Sequence, residues 1–170
     1  MSDRVQQLVD RYARALALGG AGVAVVTLVI DTRWVDQPLA TLLLTASVFA
    51  LRASPVRLSK YSYLTQSGVA ALVGAISVGP SPVVLALWLG VFASDVLWLR
   101  KLRRAGFINA GREVLGFVGA YGPYAAVLAM TGYPDLSLDL LPAAAILICL
   151  YFFSTRALFY FTLLLRDKLE

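Results

Sequence analysis

PVVLALWLGVFASDVLWLRKLRR, residues 82–104, sets the reading of the whole chain. From Pro82 to Leu99 there is one charge, Asp95, and the run then closes on Arg100, Lys101, Arg103 and Arg104. An apolar run close to the roughly 20 residues that cross a bilayer as a helix, ended by a basic cluster, is how a transmembrane helix meets the cytoplasmic face. The rest of the sequence agrees with this. Of 170 residues 59% are apolar and 15% charged, with a mean hydropathy of +0.76. A typical soluble domain carries roughly 25% charged residues. One this small has too much surface to leave so few charges on it. Lipid is the expected solvent for most side chains.

Working outward from this segment, five more apolar runs appear. They cover residues 15–30, 38–51, 61–78, 109–130 and 138–165, with 82–99 as the fourth of six. The second is short for a bilayer and is expected to borrow residues from its flanks or to pack inside the bundle. Gly79-Pro80-Ser81-Pro82 is a tight break between the third and fourth runs, because neither proline can continue the helix before it. Pro123 is expected to kink the fifth. Residues 1–14 are polar, with Val5, Leu8, Val9 and Tyr12 spaced for an interfacial amphipathic helix. No small-residue cleavage site follows the first run, so that helix is expected to stay in the mature protein. The domain division is thus 1–14 as a cytoplasmic lead, 15–165 as the membrane domain and 166–170 as a cytoplasmic exit.

Orientation follows from Lys and Arg. Twelve of them (Arg4, Arg11, Arg14, Arg52, Arg57, Lys60, Arg100, Lys101, Arg103, Arg104, Arg166 and Lys168) fall on one side of the alternating runs, and only Arg33 falls on the other. The positive-inside rule makes the twelve-charge side cytoplasmic. The expected fold is therefore an all-α, six-helix polytopic bundle with both termini in the cytoplasm.

Several functions are excluded or disfavoured. The net charge of +5 sits in loop clusters suited to an anionic leaflet, so no nucleic-acid partner is expected. With no His and a single Cys, Cys149, there is no internal disulfide and no His- or Cys-based metal site. No Ser or Cys has an evident base and no glycine-rich phosphate loop opens a helix. The chain is read as non-enzymatic and without a cofactor.

Four charges fall inside the apolar runs: Asp95, Arg112, Glu113 and Arg156. Ionisable groups at membrane depth are costly and mark functional positions by default. At 1.5 Å per residue Asp95, Arg112 and Glu113 lie about 5–6 Å inside their span ends, and Arg156 about 14 Å inside its own. One reading is structural: Asp95 or Glu113 neutralises Arg156, with Glu113 slightly favoured, while Arg112 snorkels to the interface. The other is a polar pocket, open to the cytoplasm, that binds a small solute or relays a signal. The candidate cluster is Asp95, Asn109, Arg112, Glu113 and Arg156. Phe152, Phe153 and Tyr160 lie within a turn or so of Arg156, where they either stack on its guanidinium or simply face lipid. Gly116 and Ala120, with Gly119 beside them, form a small-residue face for close helix approach. Trp34, Tyr61, Tyr63, Trp88, Trp98 and Tyr133 read as interface anchors.

Two stretches carry a resemblance. VFASDVLWLRKLRRAGFINAG, residues 91–111, and RALFYFTLLLRDKLE, residues 156–170, resemble parts of the integral membrane sensor domains at the N-termini of bacterial cyclic-di-GMP signalling proteins of the HD-GYP or GGDEF type. In those proteins an Asp ends one helix, a basic turn follows, and a Phe-x-Asn or Phe-Asn opens the next. A last helix then leads to a cytoplasmic output domain. The resemblance implies a membrane-embedded signal-input domain in a bacterial inner membrane, acting on an attached or separate output partner, with a homo-oligomer left open. The alternatives are a six-helix substrate-binding subunit of a membrane transporter, or a structural subunit of a membrane complex.

Overall fold

The computed structural model describes residues 3–54, 56–59, 62–64, 66–132 and 138–167, and side chains for 5–54, 66–132 and 138–161. The expected tyrosine anchors Tyr61, Tyr63 and Tyr133 lie outside the described side chains, as does most of the loop between the last two helices. Helix α1 spans Asp3–Ile30, α2 Arg33–Asp36, α3 Pro38–Ala53, α4 Ser67–Ser77, α5 Pro80–Ala93, α6 Arg103–Thr131 and α7 Leu141–Asp167. A π-helical turn, Ser94–Trp98, extends α5, and a short 3-10 turn, Leu138–Leu140, precedes α7. Strands β1 (Val56–Ser59) and β2 (Ser62–Leu64) form a small antiparallel hairpin.

The segments Val5–Ile30, Pro80–Trp98, Arg103–Thr131 and Leu138–Phe161 are long and apolar enough to cross a membrane. The other two apolar helices are shorter. α3, with 16 residues, spans about 24 Å, and α4, with 11, about 16 Å, against a hydrocarbon core of about 30 Å. The third expected run, residues 61–78, is thus helical only from Ser67. Val56, Arg57, Leu58 and Ser59 alternate apolar and polar with period two, which suits a strand rather than a helix.

Proline and glycine set the helix starts. Pro38 begins α3, and both Pro80 and Pro82 fall in the first turn of α5, where a missing N–H costs nothing. Gly79, the residue before that turn, has φ +104°, a conformation that favours glycine. The polar lead does not form a separate helix. No Pro interrupts residues 3–30, and lead and first span make one helix of 28 residues. α6 also begins six residues before the expected start and runs through Pro123, so Asn109 sits nearly two turns inside it.

The six longer helices alternate in direction. At one end Arg104 of α6 pairs with Asp10 of α1, and Tyr12 of α1 donates to the Leu158 carbonyl of α7 at 2.9 Å. At the other end the Asp31 carboxylate accepts the Ser81 N–H at 3.2 Å, so a residue just past α1 caps the start of α5 and sits favourably on its dipole. The Ser81 hydroxyl in turn accepts the Trp34 N–H at 3.3 Å.

The apolar core lies around α5 and α6. Val83, Val84, Leu87 and Val91 of α5 and Val114 and Phe117 of α6 are fully buried, with Val48 of α3 and Leu147 of α7. The outside is apolar too: Leu18, Val29, Val73, Met130 and Phe153 are more than half exposed, as lipid-facing side chains are. Helices approach most closely at glycine. A Cβ on Gly20 or Gly111 would strike the other helix's backbone, fixing the α1–α6 contact, and one on Gly116 would meet the Thr155 methyl of α7 at 2.5 Å. Gly119 faces open space and takes no part in this packing, contrary to the sequence expectation. Trp88, expected at an interface, is instead half-buried within α5 and packs on Phe107 at 6.1 Å.

Candidate functional site

At the basic end of the bundle α3, α5, α6 and α7 meet around buried charge. The π-helical turn ends α5 on Asp95, which has no exposed surface. The chain then reverses through Arg100, which has φ +51°, and brings Lys101 back over the same residue. The Lys101 N–H donates to the Asp95 carbonyl at 2.8 Å and its Nζ to Asp95 Oδ1 at 2.9 Å. Asn109, on α6, donates from Nδ2 to Asp95 Oδ2 at 2.5 Å.

The largest contribution comes from Arg52. It is the penultimate residue of α3 and is 4% exposed. Its Nε and Nη2 grip the two oxygens of Asp95 at 3.2 and 3.1 Å, a bidentate fork, while Nη1 reaches Glu113 Oε1 at 3.4 Å. Glu113, 6% exposed, also accepts from Arg112 Nη2 at 3.3 Å and from the Tyr151 hydroxyl at 2.8 Å. Two carboxylates are thereby surrounded by three cations and two neutral donors. Such a buried cluster holds only when its lone pairs are satisfied, and here both carboxylates are.

The sequence reading and the structure differ on the arginine. Arg156 forms no salt bridge with Asp95 or Glu113 among the described residues; Arg52, counted among the twelve charges outside the runs, takes that place. The reason is length. The second run, read as residues 38–51, continues to Ala53, and that extra half-turn carries Arg52 into the bundle. Arg112 does not snorkel outward either; its side chain is 14% exposed and its guanidinium lies 5.2 Å from the Phe159 ring centre. Arg156 stacks on Phe152 at 5.5 Å, one of the aromatic neighbours its spacing had suggested. Asp95, Asn109, Arg112 and Glu113 do come together. Arg52, Lys101 and Tyr151 were missed. For Arg52 the available signal was the shortness of its span. Tyr151, one apolar-run tyrosine among several, gave none.

Beside the network lies a cavity of about 280 Å³ between α3, α4, α6 and α7. Arg52, Arg112, Glu113, Tyr151 and Arg156 line its polar side, and Leu72, Ile148, Phe152 and Phe159 its apolar side. Arg112 Nε is buried without a hydrogen-bond partner among the described residues. A second cavity, of about 340 Å³, lies at the opposite end, lined by Arg33, Gln37, Tyr121 and Tyr124 among others. That end is therefore less apolar than the spans alone suggested. Among the described residues no group of three or more His, Cys, Asp or Glu is placed to hold a metal ion.

Comparison with protein-family models, with curated proteins and with solved structures gives no match. Helices of membrane-crossing length, an apolar exterior and a buried charge network at the basic end define the class: a helical membrane protein.

Proposed function

We propose that the chain is a membrane-embedded signal-input domain, in which the charge network reports on the state of the basic end and α7 carries that state to a cytoplasmic output domain or partner protein. The observation that carries this reading is the hydrogen bond from Tyr151 to Glu113. It ties α7 to a network otherwise built from α3, α5 and α6, and α7 continues from there for more than four turns to Asp167. Any change in the network is felt by that helix. In this reading all six longer helices cross the bilayer, α3 and α4 being completed by their flanks, and both termini face the cytoplasm of a bacterial inner membrane. The domain binds and relays and does no covalent chemistry.

The test is the position of α7. Cys149 is replaced by Ser, and spin labels are placed at the exposed Leu102 and Phe161. The distance distribution is then compared with and without Tyr151→Phe. The signal-input reading expects the distribution to shift or broaden. An unchanged distribution contradicts it and favours a structural subunit. A transporter-subunit reading draws support from the cavity at the opposite end, and predicts that Tyr124→Ala, not Tyr151→Phe, abolishes solute binding.

A further inference from the structure

The cavity beside the network carries an imbalance. Three arginines, Arg52, Arg112 and Arg156, line it, against the single carboxylate of Glu113. Arg52 is fully engaged by Asp95 and Glu113. Arg112 gives one nitrogen to Glu113 and leaves its buried Nε without a partner among the described residues, while Arg156 makes no ion pair there. Both of these guanidiniums are laid on aromatic rings of α7, Phe159 and Phe152, at 5.2 and 5.5 Å. Stacking fixes the plane of a guanidinium and leaves its N–H edge free, the arrangement that recognises a tetrahedral oxyanion.

The other wall gives the rest of the ligand. Ile148 and Phe152 are about half exposed and Phe159 is 40% exposed, so the cavity is bordered on α7 by an apolar face on the outside of the bundle. A free anion has no use for such a border, whereas an acyl chain does. The site also lies toward the basic end, and a long arginine side chain inside a span can lean toward the phosphates of the leaflet at that end.

We propose that this cavity binds the phosphate of an anionic phospholipid, with Arg156 and the accessible part of the Arg112 guanidinium on the phosphate and an acyl chain along Ile148, Phe152 and Phe159. The site deepens the proposed function by naming its ligand class, and the two fail separately. Loss of lipid binding leaves the Tyr151 spin-label result untouched, and an immobile α7 leaves binding untouched.

The test is thermal stability of the purified full chain in a neutral detergent, titrated with phosphatidylglycerol, with phosphatidylcholine and with inorganic phosphate. A ligand that binds only the folded state raises Tm saturably. Phosphatidylglycerol is expected to do so, and Arg156→Gln to move the half-saturation point up by roughly ten- to a hundred-fold, the loss of one charge-assisted contact. Arg156→Lys should recover part of that loss. Arg156 has no ion pair among the described residues, so its variants are expected to fold, and the Tm without lipid verifies it. Equal responses of the parent chain and Arg156→Gln to phosphatidylglycerol overturn the site. Saturable stabilisation by inorganic phosphate at similar concentrations, or by phosphatidylcholine as strongly as by phosphatidylglycerol, overturns the anionic-lipid assignment.

Discussion

Arg52, at the end of α3, holds both carboxylate oxygens of Asp95, at the end of α5, across 43 residues of sequence and with almost no access to solvent. That fork joins two antiparallel helices at the point where each leaves the apolar core. α5 widens into a π-turn there, and such turns often mark functional positions. Glu113 and Tyr151 then extend the same set of bonds to α6 and α7.

Tyr151→Phe keeps the ring that packs on Phe117 and removes one hydrogen bond to a charged acceptor. A loss of about 1.5–3 kcal/mol in unfolding free energy is expected. Equilibrium unfolding in mixed micelles measures it, and a change within error would place Glu113's stabilisation wholly on the arginines.

Helix contacts are tested at glycine. Gly111→Leu sets a side chain against the backbone of α1 at Leu16 and Ala17, so a drop in Tm or loss of expression is expected. Gly119→Leu meets nothing within 4 Å and is expected to be silent. Equal effects of the two would contradict the α1–α6 packing.

Topology is tested by reporter fusions. Reporters at Gly79 and Thr131 are expected to read outside, and those at Arg57 and Arg103 inside. An inside signal at Gly79 would break the alternation of the bundle relative to the membrane.

Much of this was legible in the sequence. The break at Gly79-Pro80 is there because proline and a positive φ leave little choice of conformation. Asp95, Asn109, Arg112 and Glu113 were legible as a cluster because charge in an apolar run must find partners. The limits have physical causes. Arg52 follows the second apolar run directly and counts with the charges of the loop after it, because the two carboxylates that hold it lie on other parts of the chain and leave no trace in the hydropathy of its own run. Residues 56–59 fall between the second and third apolar runs and read as loop, because four residues of alternation are too few to mark a strand. The partner of Arg156 was assigned from depth and from the order of the helices, and neither says which side of a helix faces its neighbour.

The most direct measurement is a double-mutant cycle on Arg52 and Asp95. Arg52→Leu leaves Asp95 with Lys101 and Asn109, and Asp95→Leu leaves Arg52 with Glu113, so each is expected to destabilise by less than the about 3–5 kcal/mol of a wholly unpaired buried charge. Unfolding in detergent is followed for both singles, the double and the parent chain, with Arg156→Leu/Asp95→Leu as the parallel cycle. A double variant that costs less than the sum of its singles by more than about 1 kcal/mol is expected for Arg52, with additivity for Arg156. Additive costs at Arg52 and Asp95, or the larger coupling at Arg156, would contradict the network.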